Sequence, residues 1–332
     1  MNIGLTYDLR SDYLASGYTE EETAEFDHDD TITAIESALQ VLGYKTERIG
    51  NARKLTECLV KGKRWPLVFN IAEGLNGIAR EAQVPAILDL YEIYYTFSDP
   101  LIMSLTLHKG ITKKVVRDSG FSTPDFYVVE HKADALKVSF DPPFFVKPVA
   151  EGTGKGITQN SIVWERENLQ SICKELLYKY HQPVLVEKYL SGREFTVGIV
   201  GTGENAKVLG TLEVLLLDGA EKNVYSYFNK EHYKKLVEYH LLFPENDNTV
   251  QEAENLALKI WRVLGCRDGG RVDLRCDEYG KPFFLEVNPL PGLHPEHSDL
   301  PILCNKLGFS YVELINQIVT SAISRVPVKK AW

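Results

Sequence analysis

The sequence predicts an α/β protein of several lobes: an N-terminal doubly wound parallel-sheet domain, then central and C-terminal lobes of α+β character with antiparallel sheet. Three observations carry this. Strand-like and helix-like segments alternate through the first hundred residues. Near the other end, two apolar strands flank the turn residues Asp277-Glu278-Tyr279-Gly280, which predicts an antiparallel hairpin. The 332 residues exceed one small core and suit two or three packed lobes, here 1–100, 101–195 and 196–332.

In order, Ile3 to Tyr7 reads as a strand, Asp30 to Leu42 as a helix, Lys45 to Ile49 as a strand, Ala52 to Lys61 as a helix and Pro66 to Ile71 as a strand. The first helix is well marked: Ile32, Ile35, Leu39 and Leu42 recur at helical spacing, Asp29 or Asp30 caps it and Gly43 stops it. Before it lies Asp8 to His28, a polar insertion with Glu20, Glu21, Glu22 and Glu25; a stretch this long is either functional or disordered. Lys109 to Ser119 reads as a further helix, and Thr123-Pro124-Asp125 opens a second lobe.

The strand Phe144 to Pro148 delivers Lys147 to the glycine-rich turn Glu151-Gly152-Thr153-Gly154-Lys155-Gly156. Such a turn brings backbone N–H groups close to phosphate oxygens, or is merely a mobile hairpin loop. It is not a Walker A loop, because no Gly-Lys-Ser/Thr opens a helix. Val184 to Leu190 is an apolar strand running into Ser191 to Val197. That connector suits either an adenine edge and ribose, or a surface strand with solvated acids. Residues 218–247 are rich in aromatics and charges without a clean period, as in a mobile lid; Val250 to Leu264 is a last helix before the hairpin.

The hairpin carries the chemistry. Arg271 and Asp273 stand at i and i+2 on one strand, Glu286 and Asn288 on the other, so each pair shares a face. Val272, Leu274, Phe283, Leu285 and Val287 are expected on the opposite, apolar face. Two carboxylates and an amide oxygen suit a hard cation such as magnesium, beside a fixed arginine. Paired acids on a solvated edge strand are the plainer alternative, but polar groups facing one another across a sheet call for a common partner.

Composition bounds the class. Hydrophobic content of 44% with 25% charged residues fits a globular enzyme. A net charge of −9 argues against nucleic acid or an anionic membrane surface as partner. Cys58, Cys173, Cys266, Cys276 and Cys304 are scattered and odd in number, so neither a zinc site nor a disulfide framework is expected. The N-terminus lacks a signal-peptide pattern and no run reaches membrane-span length, giving a cytoplasmic expectation.

Taken as a series, Lys109, Lys147 with its glycine loop, Glu187 to Glu194, and Arg271 to Asn288 resemble an ATP-grasp ligase, most closely the D-alanine-D-alanine ligase family. The resemblance runs from about Phe69 to Gln317. Its strongest pieces are Val146-Lys147-Pro148, Glu151-Gly152, Val186 to Val197, Gly270-Arg271-Val272-Asp273, Leu285-Glu286-Val287-Asn288 and Pro291-Gly292. It implies ATP and Mg2+ as cofactors, amino acids or small carboxylates as substrates, and a homodimer formed through the N-terminal lobe. Lys109 and Lys147 then match the lysines on the ATP phosphates. Glu187, Lys188, Tyr189, Leu190 and Glu194 match the adenine and ribose connector, with Glu151, Thr153, Gly154 and Phe284 as further nucleotide contacts. Asp273, Glu286 and Asn288 match the magnesium ligands and Arg271 the arginine that stabilises developing charge. Lys230 falls where a mobile loop brings another lysine, and His297 and Ser298 lie near the substrate-contact segment, Ser298 as a catalytic candidate.

The amino-acid half departs from the family. The glycine-rich turn with its glutamate after the first strand is replaced by Thr6 to Asp12 and the acidic insertion. A usual histidine is Glu73, a usual tyrosine after Lys230 is Glu231, and the glycine loop has Thr153-Gly154 for a serine pair. Four functions are therefore expected to compete: a D-alanine-D-alanine ligase of peptidoglycan precursor synthesis, an ATP-grasp ligase joining other amino acids or small carboxylates, a nucleotide-binding module without ligase activity, and a kinase that stops at the phosphorylated product.

Overall fold

A computed structural model of the chain describes residues 1–221, 229 and 233–327. Three sheets organise it. The first is parallel: β1 (Asn2–Tyr7), β2 (Lys45–Gly50), β3 (Leu67–Ile71) and β4 (Tyr94–Tyr95) in the order β2-β1-β3-β4. Ile3, Leu5, Leu67 and Phe69 pack on Ile32, Ile35 and Leu39 of the helix Asp29–Val41. That helix starts one residue before the expected Asp30; His28 occupies the N-cap without a side-chain cap bond, and Asp29 and Asp30 lie in the first turn. Gly43 follows it at φ +86°, as its stop requires. The helix Tyr311–Ser324 contributes Leu314, Ile315, Ile318 and Val319 to this same core, so the far end of the chain returns to the N-terminal domain.

The second sheet is antiparallel, β5 (Phe126–Val129), β6 (Phe144–Pro148), β7 (Ile162–Val163) and β8 (Val184–Lys188), ordered β5-β8-β6-β7. The third comprises β9 (Glu194–Val200), β10 (Lys207–Leu216), β11 (Val237–Leu242), β12 (Gly269–Cys276) and β13 (Pro282–Asn288), ordered β11-β10-β9-β12-β13 and antiparallel throughout. The helix Asn248–Leu264, capped by the Asp247 carboxylate and stopped by Gly265 at φ +77°, lays Ile260, Trp261 and Leu264 against Val272, Phe284 and Val287. Only Tyr189 to Arg193 separates β8 of the second sheet from β9 of the third, and the candidate site forms at that crossing.

The acidic insertion is built into this frame. It includes a helix at Arg10–Ala15, and Phe26 and Thr23 are buried. Glu25 is buried against Arg80 at 2.7 Å, and Glu21 accepts hydrogen bonds from Tyr180 (2.7 Å) and Lys179 (2.8 Å) of the central lobe. The stretch is therefore ordered, and its acids tie two lobes together. Of the segment 218–247 expected as a lid, residues 222–228 and 230–232, including Tyr225, Lys230 and Glu231, lie outside the described residues, while β11 falls within it. Among the described residues no helix is long and apolar enough to cross a membrane. All five cysteines are free thiols.

Candidate active site

The site is a cleft between the second and third sheets. Antiparallel pairing of β12 and β13 sets Arg271 opposite Asn288 and Asp273 opposite Glu286. Asp273 is held from three sides: Arg271 pairs with one carboxylate oxygen, Asn288 Nδ2 donates to the same oxygen at 3.3 Å, and Thr196 Oγ1 of β9 donates to the other at 3.0 Å. Arg271 also faces Asp299 at 3.5 Å, whose other oxygen accepts the Tyr239 hydroxyl at 3.0 Å. Burial works against the charge on Arg271, but Asp273, Asp299 and Glu286 outweigh it and raise its pKa further.

Lysines of the central lobe face these acids. Lys147, at the end of β6, lies 3.3 Å from both Glu286 and Glu187. Burial disfavours its ammonium, yet the two carboxylates more than compensate and its pKa is raised. Lys109 begins the helix Lys109–Asp118; its Nζ donates to the Glu151 carbonyl at 2.7 Å and sits 3.9 Å from Glu286. Here burial wins and lowers the lysine pKa. Glu187 is buried, which alone would raise its pKa, but Lys113 and Lys147 reverse the shift and keep it ionised.

Of the residues singled out in the sequence, Lys109, Lys147, Glu151, Gly154 and Glu187 line the cleft. So do Lys188, Tyr189, Leu190 and Glu194 from the crossing, with Arg271, Asp273 and Glu286 opposite. Thr153 lies in the glycine loop at φ +52° without lining the cleft. Asn288 reaches it through Asp273. Ser298 is the N-cap of the helix Asp299–Lys306, and its Oγ accepts the His294 N–H at 3.0 Å. Lys230 lies outside the described residues.

Phe284 requires a correction. Strict alternation puts Phe283, Leu285 and Val287 on one face, but the register of β13 shifts between Phe284 and Glu286. This bulge gives Leu285 no partner and changes the phase of the strand. Phe284 is consequently fully buried with Val287, while Leu285 lines the cleft beside Glu286. The apolar residue from this strand that reaches the cleft is Leu285, not Phe284.

Other lining residues escaped the sequence reading. Arg275 bonds Glu194 at 3.1 Å and the Tyr189 hydroxyl at 3.4 Å, and Lys155 pairs with Glu151 at 2.6 Å. The period-two spacing of Arg271 and Asp273 continues to Arg275, so the signal was present.

A lysine-floored cleft between an antiparallel central lobe and a sheet carrying paired acids and an arginine has ATP-grasp architecture. Residues 115–320 match the family described as D-ala D-ala ligase C-terminus. The chain is 31% identical over 288 residues to the D-alanine-D-alanine ligase of Aquifex aeolicus (strain VF5), covering 86% of this chain and 92% of that one. It is 35% identical over 265 residues to the uncharacterised protein y4sG of Sinorhizobium fredii, covering 78% and 75%. In fold it is similar to the D-alanine-D-alanine ligase of Bacillus anthracis solved with ATP (TM-score 0.72, 22% identity, 98% of each chain). It is likewise similar to the VanG D-Ala:D-Ser ligase of Enterococcus faecalis (TM-score 0.72, 19% identity, 97% and 99% covered). The chain belongs to the D-alanine-D-alanine ligase family.

Proposed function

We propose that the protein is an ATP-dependent ligase that joins the carboxylate of one amino acid to the amine of another. The observation that carries this is the facing of Lys109 and Lys147 with Glu286 across the cleft, beside Arg271 and Asp273. In the reaction a substrate carboxylate oxygen attacks the γ-phosphorus of ATP and ADP leaves. The second substrate's amine then attacks the acylphosphate carbon, loses a proton, and phosphate departs. Lys109 and Lys147 would hold phosphate oxygens as compact charges, Glu187, Tyr189 and Glu194 would position the nucleoside, and Arg271 would meet the charge of the tetrahedral carbon's oxygen. Enclosure between the lobes keeps water from the acylphosphate.

Asp273, Glu286 and Asn288 would hold magnesium. Two carboxylates in direct register and one amide fit that ion, since they leave positions for phosphate oxygens and water. When bound, the cation would neutralise charge on the transferring phosphate. Family membership also supports a homodimer; a solution mass of one 37.5 kDa chain by light scattering would remove that part of the reading.

D-alanine at both positions, for peptidoglycan precursor synthesis, is the substrate reading that the relatives' names support. A second reading, with other amino acids, is favoured by the acids of the N-terminal domain. Glu73 lies near Glu81, Glu25 and Asp27, and burial followed by the charges of Glu81 and Glu25 drives its pKa well above the ordinary value. A panel of amino acids scored by ADP release separates the two: D-alanine alone should turn over as fast as the best pair, and a pair without D-alanine that far outpaces it would sink the first reading.

A further inference from the structure

Lys113 is a fully buried lysine with no place in the reaction described above. It does not line the cleft, yet its ammonium touches three elements that build it. Its Nζ lies 2.5 Å from Glu187 Oε1 on β8, donates to Thr123 Oγ1 at 3.0 Å, and donates to the Phe284 carbonyl on β13 at 3.1 Å. Thr123 Oγ1 donates to that same carbonyl at 2.9 Å, and the Phe284 N–H donates to the Ser122 carbonyl at 2.9 Å. Both backbone groups of the residue before the bulge are thus held from the central lobe.

The contacts close a ring. Lys113 holds Glu187, Glu187 holds Lys147, Lys147 reaches Glu286, and Glu286 stands two residues from the carbonyl that Lys113 grips. The central and C-terminal lobes each supply part of the ring, and removing one member lets the two acids shift relative to one another. A buried lysine amid apolar residues would be costly without such partners, which argues against a filler role.

We propose that Lys113 is a positioning residue that sets Glu187 and the bulged Phe284 to Glu286 segment in fixed relation, so that the nucleotide side and the metal side of the cleft are assembled together. The inference rests on reading the cleft as a site for ATP and magnesium. Lys113 itself touches neither.

The test compares Lys113→Met, Thr123→Val and the parent in ADP binding by calorimetry at graded magnesium concentrations, alongside steady-state kinetics. Thr123→Val removes one grip on the Phe284 carbonyl but leaves the Lys113–Glu187 pair. Supporting groups behind a metal site typically change affinity by about 10–100-fold, so Lys113→Met should raise the magnesium needed for half-maximal ADP binding about tenfold or more. Thr123→Val should move it in the same direction by less. The KM for ATP should rise while the KM for the amino acids stays within about twofold of the parent, a split that general loss of structure would not give. A folded Lys113→Met protein with the parent's magnesium requirement, or one that loses affinity for all substrates alike, overturns the proposal. If Lys113→Met does not fold, Thr123→Val decides, and a parental magnesium requirement there overturns it. A parent protein that binds no magnesium-ADP would overturn the nucleotide reading itself, and the proposal with it.

Discussion

Arg271 stands between Asp273 and Asp299, and its position is therefore set before any substrate arrives. A charge fixed in advance costs no reorganisation at the moment of reaction, which is where such an arginine is most effective. Arg271→Ala should lower kcat on the order of a hundredfold or more while ADP binding by calorimetry changes little. Equal turnover in mutant and parent would remove the ligase reading and leave a nucleotide-binding module. A different residue contributes to the pH dependence of stability. Burial, reinforced by Asp8, pushes the Asp27 carboxyl up to about 7. Because the folded value exceeds the unfolded one of about 3.9, this group costs stability progressively as pH rises from about 4 to about 7. Asp27→Asn should raise the melting temperature by a few degrees at about pH 8 and by almost nothing at about pH 4; an equal gain at both would contradict the assignment. Arg271, Asp273 and Glu286 were legible in the sequence from period-two spacing and Lys147 from its place at a strand end, whereas Lys109 was marked only by the family resemblance. Lys113 was not singled out, although it lies four residues after Lys109 on one helix, because nothing in the sequence marks a lysine as buried.

At the scale of elements, the hairpin of β12 and β13 was readable from its turn and its alternation, but the pairing of Asp273 with Glu286 depends on the bulge, since unbroken register from Leu274 and Phe284 would set Leu285 opposite Asp273. The bulge was not readable. It arises where Phe284 is held by Ser122, Thr123 and Lys113, residues distant in sequence whose approach depends on the packing of the central lobe. Close packing also explains Gly270: a Cβ there would fall 2.4 Å from the Asn288 carbonyl oxygen and 2.7 Å from the Trp261 ring. Gly270→Ala should cost at least about 1–3 kcal/mol in urea unfolding, the usual range for overpacking, and should weaken magnesium-dependent ADP binding by displacing Asn288. Parental stability would show that the strands are less tightly apposed than described. The insertion from Asp8 to His28 illustrates a different limit. Its length allowed either a functional loop or disorder, and the partners that order it, Arg80, Tyr180 and Lys179, lie outside it.

Across the whole molecule, the N-terminal domain reaches the glycine-loop end of the cleft. Arg80 donates to the Ala150 carbonyl at 2.8 Å, Glu25 accepts the Gly152 N–H, and Lys109 holds the Glu151 carbonyl between them. The start of the glycine loop is thus fixed by two domains, which links the lobe that departs most from the family to the machinery that departs least. Arg80→Ala leaves buried Glu25 without its ion-pair partner and should cost about 3–5 kcal/mol in urea unfolding. A loss below about 1 kcal/mol, the range of exposed pairs, would mean that the Arg80–Glu25 pair is solvated in solution. The coarse architecture could be read from periodicity and turn chemistry, whereas the return of the helix Tyr311–Ser324 to the first core could not, because helix periodicity does not say which partner a face will meet. Amide formation driven by ATP is read out by measuring ADP, phosphate and product together in one reaction with amino acids and magnesium. One ADP and one phosphate are expected for each amide bond formed. Turnover that ends at a phosphorylated carboxylate, or releases ADP with no amide product, would contradict it.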